Sequence, residues 1–406
     1  YKFNDFQPYI YKTTDFGATW TKITSGIDPG HFVRVVREDK KVKNLLYAGT
    51  ERGIYLSYDG GASWKPFQLN FPPVPITDLA IVENDLAAST AGRGFWILDD
   101  LNAIQQKAYQ GSVKLVEPEN AVSVMIGSPP VPIPNLGQNP PSGAILDYYL
   151  PEDSIDVTLK IFDADKSLVR TLTSIPDDKE PNKPLISAKK GLNRTIWDLH
   201  MEVIEPIKNT IVYGSYSGHL VMPGEYFASL VTETDSLTVP LKVVADPRMD
   251  FSDAEYEALK EMMAEIDETI AEISESIADM RDAKAQISDW NTHLSELEEF
   301  DTLKSYGTMV MDSLTNWENQ LVQPKMKTFQ DVVNYNSMLT ADFMYLKGYI
   351  ESQNPKLTGG AKLGLEDLNK KWDKEKARLD YILEELLPGY NALFKAYEVP
   401  ALILDK

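Results

Sequence analysis

The sequence predicts a multidomain protein that is β-rich over residues 1–247 and α-helical over residues 248–406. Three observations predict this fold class: a turn motif that recurs after 44 residues, short strands of alternating polarity, and a long stretch with apolar residues at helical spacing. In chain order we expect the last blades of a β-propeller over 1–105, a proline-rich linker over 106–143, an antiparallel β-sandwich over 144–247 and an antiparallel helical bundle over 248–406.

Composition excludes several classes of function. The chain has 61 acidic and 40 basic side chains, a formal charge of −21, and such a surface repels the phosphates of nucleic acid. It has no cysteine, which excludes disulfides and thiolate metal sites. No apolar run reaches the roughly 18 residues that a membrane-spanning helix needs. The four histidines lack the spacing of metal ligands, so we expect neither a metal nor a cofactor.

The repeated turn motif combines a hydroxyl residue, an aspartate, a glycine and a tryptophan. The two copies are Thr13, Asp15, Gly17, Trp20 and Ser57, Asp59, Gly61, Trp64. An aspartate in a tight turn accepts backbone N–H bonds, and glycine supplies a backbone conformation that other residues resist. A repeat of 40–45 residues made of short strands is typical of propeller blades. We therefore expect these eight residues to build turns rather than to carry out catalysis.

A third, degraded copy runs from Gly94 to Asp100. Because propellers close with about four to eight blades, three copies cannot form a ring. We expect the remaining blades to lie upstream of residue 1 or in another chain.

The best candidate for a binding surface lies at the end of the blades opposite the repeated turn. The side chains expected there are His31, Arg34, Glu51, Arg52 and Arg93. Guanidinium groups form paired hydrogen bonds with carboxylates, so this face suits a carboxylate or a sugar acid. The alternative is that each arginine pairs with an acidic residue of the neighbouring blade.

Residues 106–247 contain two predicted regions, a linker and a β-sandwich. Seven prolines between residues 117 and 141 predict an extended linker, and alternating strands then predict the sandwich, with Trp197 in its core. Residues 200–222, which include His200 and His219, form a long insertion between two of these strands. We expect a packing loop or a disordered loop there rather than a ligand site.

Residues beyond 250 predict helices. Ser252 and Glu255 have the spacing of a capping box, and a narrow apolar stripe follows it. The stripe consists of Met263, Ile266, Ile270, Ile273, Ile277 and Met280. Residues 251–300 contain 15 acidic and three basic side chains, which we interpret as a solvated face rather than a docking site for a basic partner.

These patterns together resemble a known family. The repeated motif resembles the Asp-box of BNR-repeat propellers, and residues 157–230 resemble an immunoglobulin-like domain. The order of domains and the string TAGRGFWILDDL at residues 90–101 resemble the C-terminal part of sortilin-like BNR-repeat proteins of Bacteroidetes, often labelled glycosyl hydrolases. The resemblance implies export to the cell surface or the periplasm.

The expected function is a non-catalytic, extracytoplasmic module for binding or assembly. Its partner would be a protein or peptide, such as a component of an outer-membrane or cell-surface complex. We find no catalytic set, since the chain lacks both a Gly-x-Ser-x-Gly elbow and a glycine-rich phosphate loop. The alternative is a glycoside hydrolase of the sialidase or xyloglucanase type that binds carbohydrate, with its catalytic acids in blades outside this chain.

Overall fold

A computed structural model describes residues 2–108, 111–124, 137, 139–177, 183–352 and 357–399. The chain forms two compact units. The first comprises Tyr1–Asp198 and Gly224–Val244, and the second comprises Leu199–Pro223 and Ala245–Lys406. The first unit is built of β-sheets and the second of helices, which confirms the β-rich plus α-helical fold class. Residues 125–136, the centre of the expected linker, lie outside the described residues.

The start of the first unit consists of three small antiparallel sheets. They are β1 (Tyr11–Lys12) with β2 (Thr21–Lys22); β3 (Val33–Glu38), β4 (Leu46–Thr50), β5 (Gly53–Ser57) and β6 (Lys65–Pro66); and β7 (Ile76–Val82), β8 (Asp85–Thr90) and β9 (Phe95–Leu98). Strand β7 lies against β3 and β4. Gly49 permits this approach, because a Cβ atom there would lie 2.6 Å from a methyl carbon of Ile76.

The repeated turn has the same hydrogen bonds in both copies. In the second copy the Ser57 hydroxyl accepts the Gly61 N–H at 2.9 Å, and the Asp59 carboxylate accepts the N–H of Ser63 at 2.8 Å. The corresponding bonds in the first copy are both 2.8 Å long and involve Thr13, Asp15, Gly17 and Thr19. Hydrogen bonds from the Thr19 and Ser63 side chains, followed by those from their backbone N–H groups, lower the pKa of Asp15 and Asp59 to about 2.

The tryptophans of the two copies differ in their surroundings. Trp64 is 3% exposed, and its indole N–H donates to the carbonyl of Ile23 at 2.8 Å. Gly26 covers the backbone of Trp64 so closely that a Cβ atom there would lie 2.2 Å from its carbonyl oxygen. Trp20 is 59% exposed and donates only within its own turn, to Gly17. The second copy of the motif therefore contacts the preceding repeat through Trp64, whereas Trp20 of the first copy remains at the surface.

The rest of the first unit contains a short helix and two further sheets. The helix is α1 (Asn102–Gln105). A three-stranded sheet has the order β10 (Lys114–Leu115), β12 (Ala144–Leu150), β15 (Gly191–Trp197). A five-stranded sheet has the order β11 (Ala121–Ser123), β17 (Ser236–Ala245), β16 (Gly224–Val231), β13 (Thr158–Asp163), β14 (Leu168–Thr173). Trp197 is fully buried, and its ring contacts Tyr226 of the other sheet at 5.6 Å, as expected for a core residue.

The second unit is a set of helices. They are α2 (Asp253–His293), α3 (Asp301–Leu321), α4 (Leu339–Ser352), α5 (Gly359–Tyr381) and α6 (Leu387–Ala396). The capping box of Ser252 and Glu255 is confirmed at the start of α2, and the predicted apolar stripe is buried. Helix α2 is 41 residues long, about 60 Å.

Residues 199–223 belong to this helical unit. Ile204, Ile207 and Val212 are buried in the same core as the apolar stripe of α2. The insertion is thus a packed segment rather than a disordered loop. The finer division into four domains at residues 105, 143 and 247 stays a prediction.

The contrast between the two tryptophans gives a paired test of how the repeats join. We expect Trp64→Ala to lower the free energy of unfolding of the first unit by about 3–5 kcal/mol, because it opens a cavity between repeats. Trp20→Ala should change it by less than about 0.5 kcal/mol, because the ring is largely in water. Urea denaturation followed by circular dichroism measures both values, and equal losses would contradict the assignment.

Candidate functional site

The turns at the predicted binding face are built alike. In the turn between β4 and β5, the Thr50 hydroxyl donates to the carbonyl of Gly53 at 2.8 Å and accepts the Arg52 N–H at 3.1 Å. In the turn between β8 and β9, the Thr90 hydroxyl donates to the carbonyl of Gly94 at 2.8 Å and accepts the Arg93 N–H at 3.0 Å. One threonine therefore fixes the backbone of each arginine. Both turns lie at the end of the strands opposite the repeated motif.

The arginines near this face divide into two kinds. Arg34 donates two hydrogen bonds to one carboxylate oxygen of Glu51, at 2.6 and 3.0 Å, and its guanidinium lies 5.0 Å from the ring centre of Phe32. The side chains of Arg52 and Arg93 are exposed, and neither has an ion-pair partner among the described residues. Arg34 thus pairs with an acidic residue of its own sheet, whereas the guanidinium groups of Arg52 and Arg93 form no ion pair in the described part of the chain.

His31 is held by a neighbouring strand. Its Nδ1 lies 2.9 Å from the hydroxyl of Tyr55, and the two rings meet edge to face. Burial raises the pKa of Tyr55, so this hydroxyl stays protonated at neutral pH. The His31 side chain is therefore held against Tyr55 and is less exposed than the side chains of Arg52 and Arg93.

A second concave surface lies wholly within the helical unit, and sequence reasoning missed it. The cleft has a volume of about 590 Å³ and is lined by residues 213–215, by Ser217 and by α4. Gly214 allows this approach, because a Cβ atom there would lie 2.5 Å from Cβ of Met344. Tyr345 and Tyr349, one helical turn apart on α4, also line it. The four-residue spacing of these two tyrosines, which are not among the buried residues of α4, was a sequence signal for this cleft.

A buried ionic cluster fixes the base of this cleft. One oxygen of Asp267 accepts the backbone N–H of His219 at 2.7 Å and lies 2.9 Å from its Nδ1. The other oxygen accepts from the Lys347 ammonium at 2.7 Å. Lys347 also donates to the carbonyl of Ser217 at 2.5 Å, and its side chain is 3% exposed. The cluster joins three segments that are far apart in the sequence.

The electrostatics of the cluster follow from these bonds. Burial by itself would raise the pKa of Asp267, but the His219 hydrogen bonds and the Lys347 charge outweigh it and lower that pKa. The carboxylate is therefore ionised at neutral pH and neutralises Lys347. The arrangement is a structural ion pair at the base of the cleft, in which the Lys347 ammonium donates to both Asp267 and Ser217.

Other site chemistry is limited in the described ranges. No group of three or more histidine, aspartate or glutamate side chains there is placed to hold a metal ion. Every helix in the described part of the chain is too short or too polar to traverse a lipid bilayer.

The ion pair can be tested by removing one partner. We expect Lys347→Met to destabilise the helical unit by about 3–5 kcal/mol, because it leaves the buried Asp267 carboxylate without its counter-charge. Lys370→Met is the matched control, since Lys370 pairs with Asp367 on the exposed surface of α5 and such pairs contribute about 0–1 kcal/mol. Thermal denaturation of both variants measures the difference. Equal effects would contradict a buried role for Lys347.

The lowered pKa of Asp267 also predicts a pH dependence. Its stabilising contribution is complete above the ordinary value of 3.8 and is lost as the pH falls through the lower folded value. In Lys347→Met the folded pKa should rise toward the ordinary value, so the free energy of unfolding of the helical unit should fall less between neutral and acid pH than in the wild type. Denaturation at a series of pH values from about 2 to 6 measures this loss in both proteins. An equal loss in the two proteins would exclude Asp267 as the responsible group.

Comparisons with known proteins give only distant likenesses. No family model and no curated protein matches this chain. The extracellular domain of a proposed one-component system from Bacteroides thetaiotaomicron is 12% identical, with 59% of this chain and 29% of that chain covered and a TM-score of 0.19. A second extracellular domain from the same organism, described as part of a proposed hybrid two-component system, is 13% identical. The match covers 60% of this chain and 29% of that chain, with a TM-score of 0.20.

A third structure, named pT26-6p, is 11% identical, with 71% of this chain and 50% of that chain covered and a TM-score of 0.14. This chain thus spans less than a third of the length of the two Bacteroides domains to which it is similar. TM-scores this low establish no common fold between this chain and the three structures.

Proposed function

We propose that this chain is a non-catalytic, extracytoplasmic binding module for a protein or peptide. The face that carries Arg52 and Arg93 would bind carboxylate groups of that partner. The observation that carries the proposal is the pair of equivalent turns that hold Arg52 and Arg93. Each backbone is fixed by a threonine, and each guanidinium is exposed and without an ion-pair partner in the described part of the chain. Because the backbone of each arginine is already fixed, less freedom remains to be lost when its guanidinium binds a carboxylate, which favours recognition.

The net charge of the chain does not prevent such binding. At physiological salt the Debye length is about 8 Å, so the many acidic groups farther away are screened at the distance of a direct contact. The long-range repulsion slows the approach of an acidic partner, whereas the two arginines stabilise the complex once it has formed. The partner would therefore present carboxylates locally, and a highly acidic protein fits less well.

The fold assignments behind this proposal are part of it. We infer that the sheets of residues 1–105 are blades of an Asp-box propeller. Their successive antiparallel meanders and the contact of β7 with β3 and β4 support this inference. We also infer an immunoglobulin-like sandwich, supported by the two sheets that share the Trp197 and Tyr226 contact. The extracytoplasmic location rests on the resemblance to exported BNR-repeat proteins.

The binding face is tested with a double variant. Affinity capture from the native cell envelope with the wild-type full-length protein should return a partner that Arg52→Ala/Arg93→Ala loses. In purified form the double variant should bind that partner at least about tenfold more weakly, the equivalent of about 1.4 kcal/mol. Lys65→Ala is the matched control, because Lys65 is an exposed cation on β6 beside the repeated turn, at the opposite end of the strands.

Two results would contradict the proposal. The first is an equal loss of binding in Lys65→Ala, which would indicate attraction by general charge. The second is the release of reducing ends from a polysaccharide by the full-length protein, abolished by replacing an aspartate or glutamate of the propeller channel. That result would establish the glycoside hydrolase alternative.

A further inference from the structure

The cleft of the helical unit has aromatic walls. Four rings line it, and all four are substantially in water: Tyr213, Phe329, Tyr345 and Tyr349. Tyr345 is 70% exposed and Phe329 is 60% exposed, although large aromatic side chains are usually buried. The volume of about 590 Å³ is in the range of sites that hold a small molecule or a peptide side chain.

The unit that contains this cleft is strongly acidic. The helical unit carries 34 acidic and 18 basic side chains, a formal charge of −16, whereas the β-rich unit carries 27 and 22, a charge of −5. Most of the net charge of the chain therefore belongs to the unit that contains the aromatic cleft. The field of this unit attracts cations and repels anions.

Of the two charged side chains that line the cleft, Lys347 and Glu351, only Lys347 has an ion-pair partner in the described part of the chain. Lys347 is neutralised by Asp267 at 2.7 Å, so it adds no free positive charge. One oxygen of Glu351 accepts the backbone N–H of Leu220 at 3.1 Å, which holds the carboxylate in place at the cleft. No basic side chain in the described ranges forms an ion pair with Glu351. A fixed carboxylate beside exposed aromatic rings is the arrangement that binds organic cations.

We propose that this cleft binds an arginine side chain of a basic protein or peptide segment. The planar guanidinium stacks on the faces of the tyrosine rings, and the Glu351 carboxylate supplies the counter-charge. The exposure of Tyr345 leaves room for the rest of the peptide to continue past the cleft. This proposal goes beyond the carboxylate-binding face of the repeat unit, since it concerns another unit and a ligand of opposite charge.

The test uses the full chain and a pair of peptides that differ only in charge. The first is acetyl-Ala-Ala-Arg-Ala-Ala-amide, and the second carries citrulline, the neutral isostere of arginine. Isothermal titration calorimetry should show saturable binding of the arginine peptide, with the citrulline peptide at least about tenfold weaker. Tyr345→Ala should weaken binding about fivefold, whereas Tyr345→Phe keeps the ring and should stay within about twofold of the wild type.

Two further variants locate the site. Glu351→Gln keeps an acceptor for the Leu220 N–H but removes the charge, and it should weaken binding at least about threefold. Tyr381→Ala is the matched control, because Tyr381 is a 57% exposed tyrosine on α5 that does not line the cleft. It should leave the affinity unchanged. Circular dichroism confirms that each variant keeps its helices.

Several results would overturn the proposal. Equal affinity for the citrulline peptide would show that charge is not recognised, and the cleft would then suit a neutral ligand such as a sugar. Equal weakening by Tyr381→Ala and Tyr345→Ala would show non-specific attraction to an acidic surface. A titration without saturation up to about 10 mM peptide would show that the cleft does not bind arginine at a meaningful affinity.

Discussion

The Asp267 carboxylate is the constraint on which the helical unit depends. It lies on the long helix α2 and bonds at once to His219 of the inserted segment and to Lys347 of α4. A buried carboxylate is costly unless it is fully paired, so the three segments must keep their relative positions. Arg281 of α2 makes a second set of contacts, since it donates to Thr210 of the inserted segment at 2.7 Å and to Glu318 of α3 at 2.6 Å. The bonds of Asp267 and Lys347 hold the insertion against α4, and the aromatic cleft lies between these two segments.

In the β-rich unit, hydroxyl side chains stabilise the turns at both ends of the strands. At one end Thr13 and Ser57 organise the repeated motif, and at the other end Thr50 and Thr90 organise the arginine turns. A hydroxyl can donate and accept at the same time, so a single side chain satisfies two backbone groups. In the second copy the motif end also contacts the preceding repeat through Trp64, and the arginine turns lie at the opposite end of the strands.

The distribution of charge separates the two units chemically. The helical unit has most of the excess acid, whereas the β-rich unit is closer to balance and displays Arg52 and Arg93. Our two proposals follow this division: a carboxylate ligand for the arginine turns and a guanidinium ligand for the aromatic cleft. Both interactions are electrostatic at their origin, so both should weaken as the salt concentration rises.

The sequence by itself determined the features that depend on neighbours along the chain. The apolar stripe of α2, the capping box at Ser252 and the β-rich to helical order were predictable because each is set by a short period or a local hydrogen bond. Tertiary structure decided which arginines are paired, since Arg34 meets Glu51 only across two strands. It also decided that Trp64 is buried and Trp20 is not, although their motifs are the same. The cluster of His219, Asp267 and Lys347 joins residues 48 to 128 positions apart. No local pattern encodes such a contact, because it is created only when separate segments pack together and exclude water.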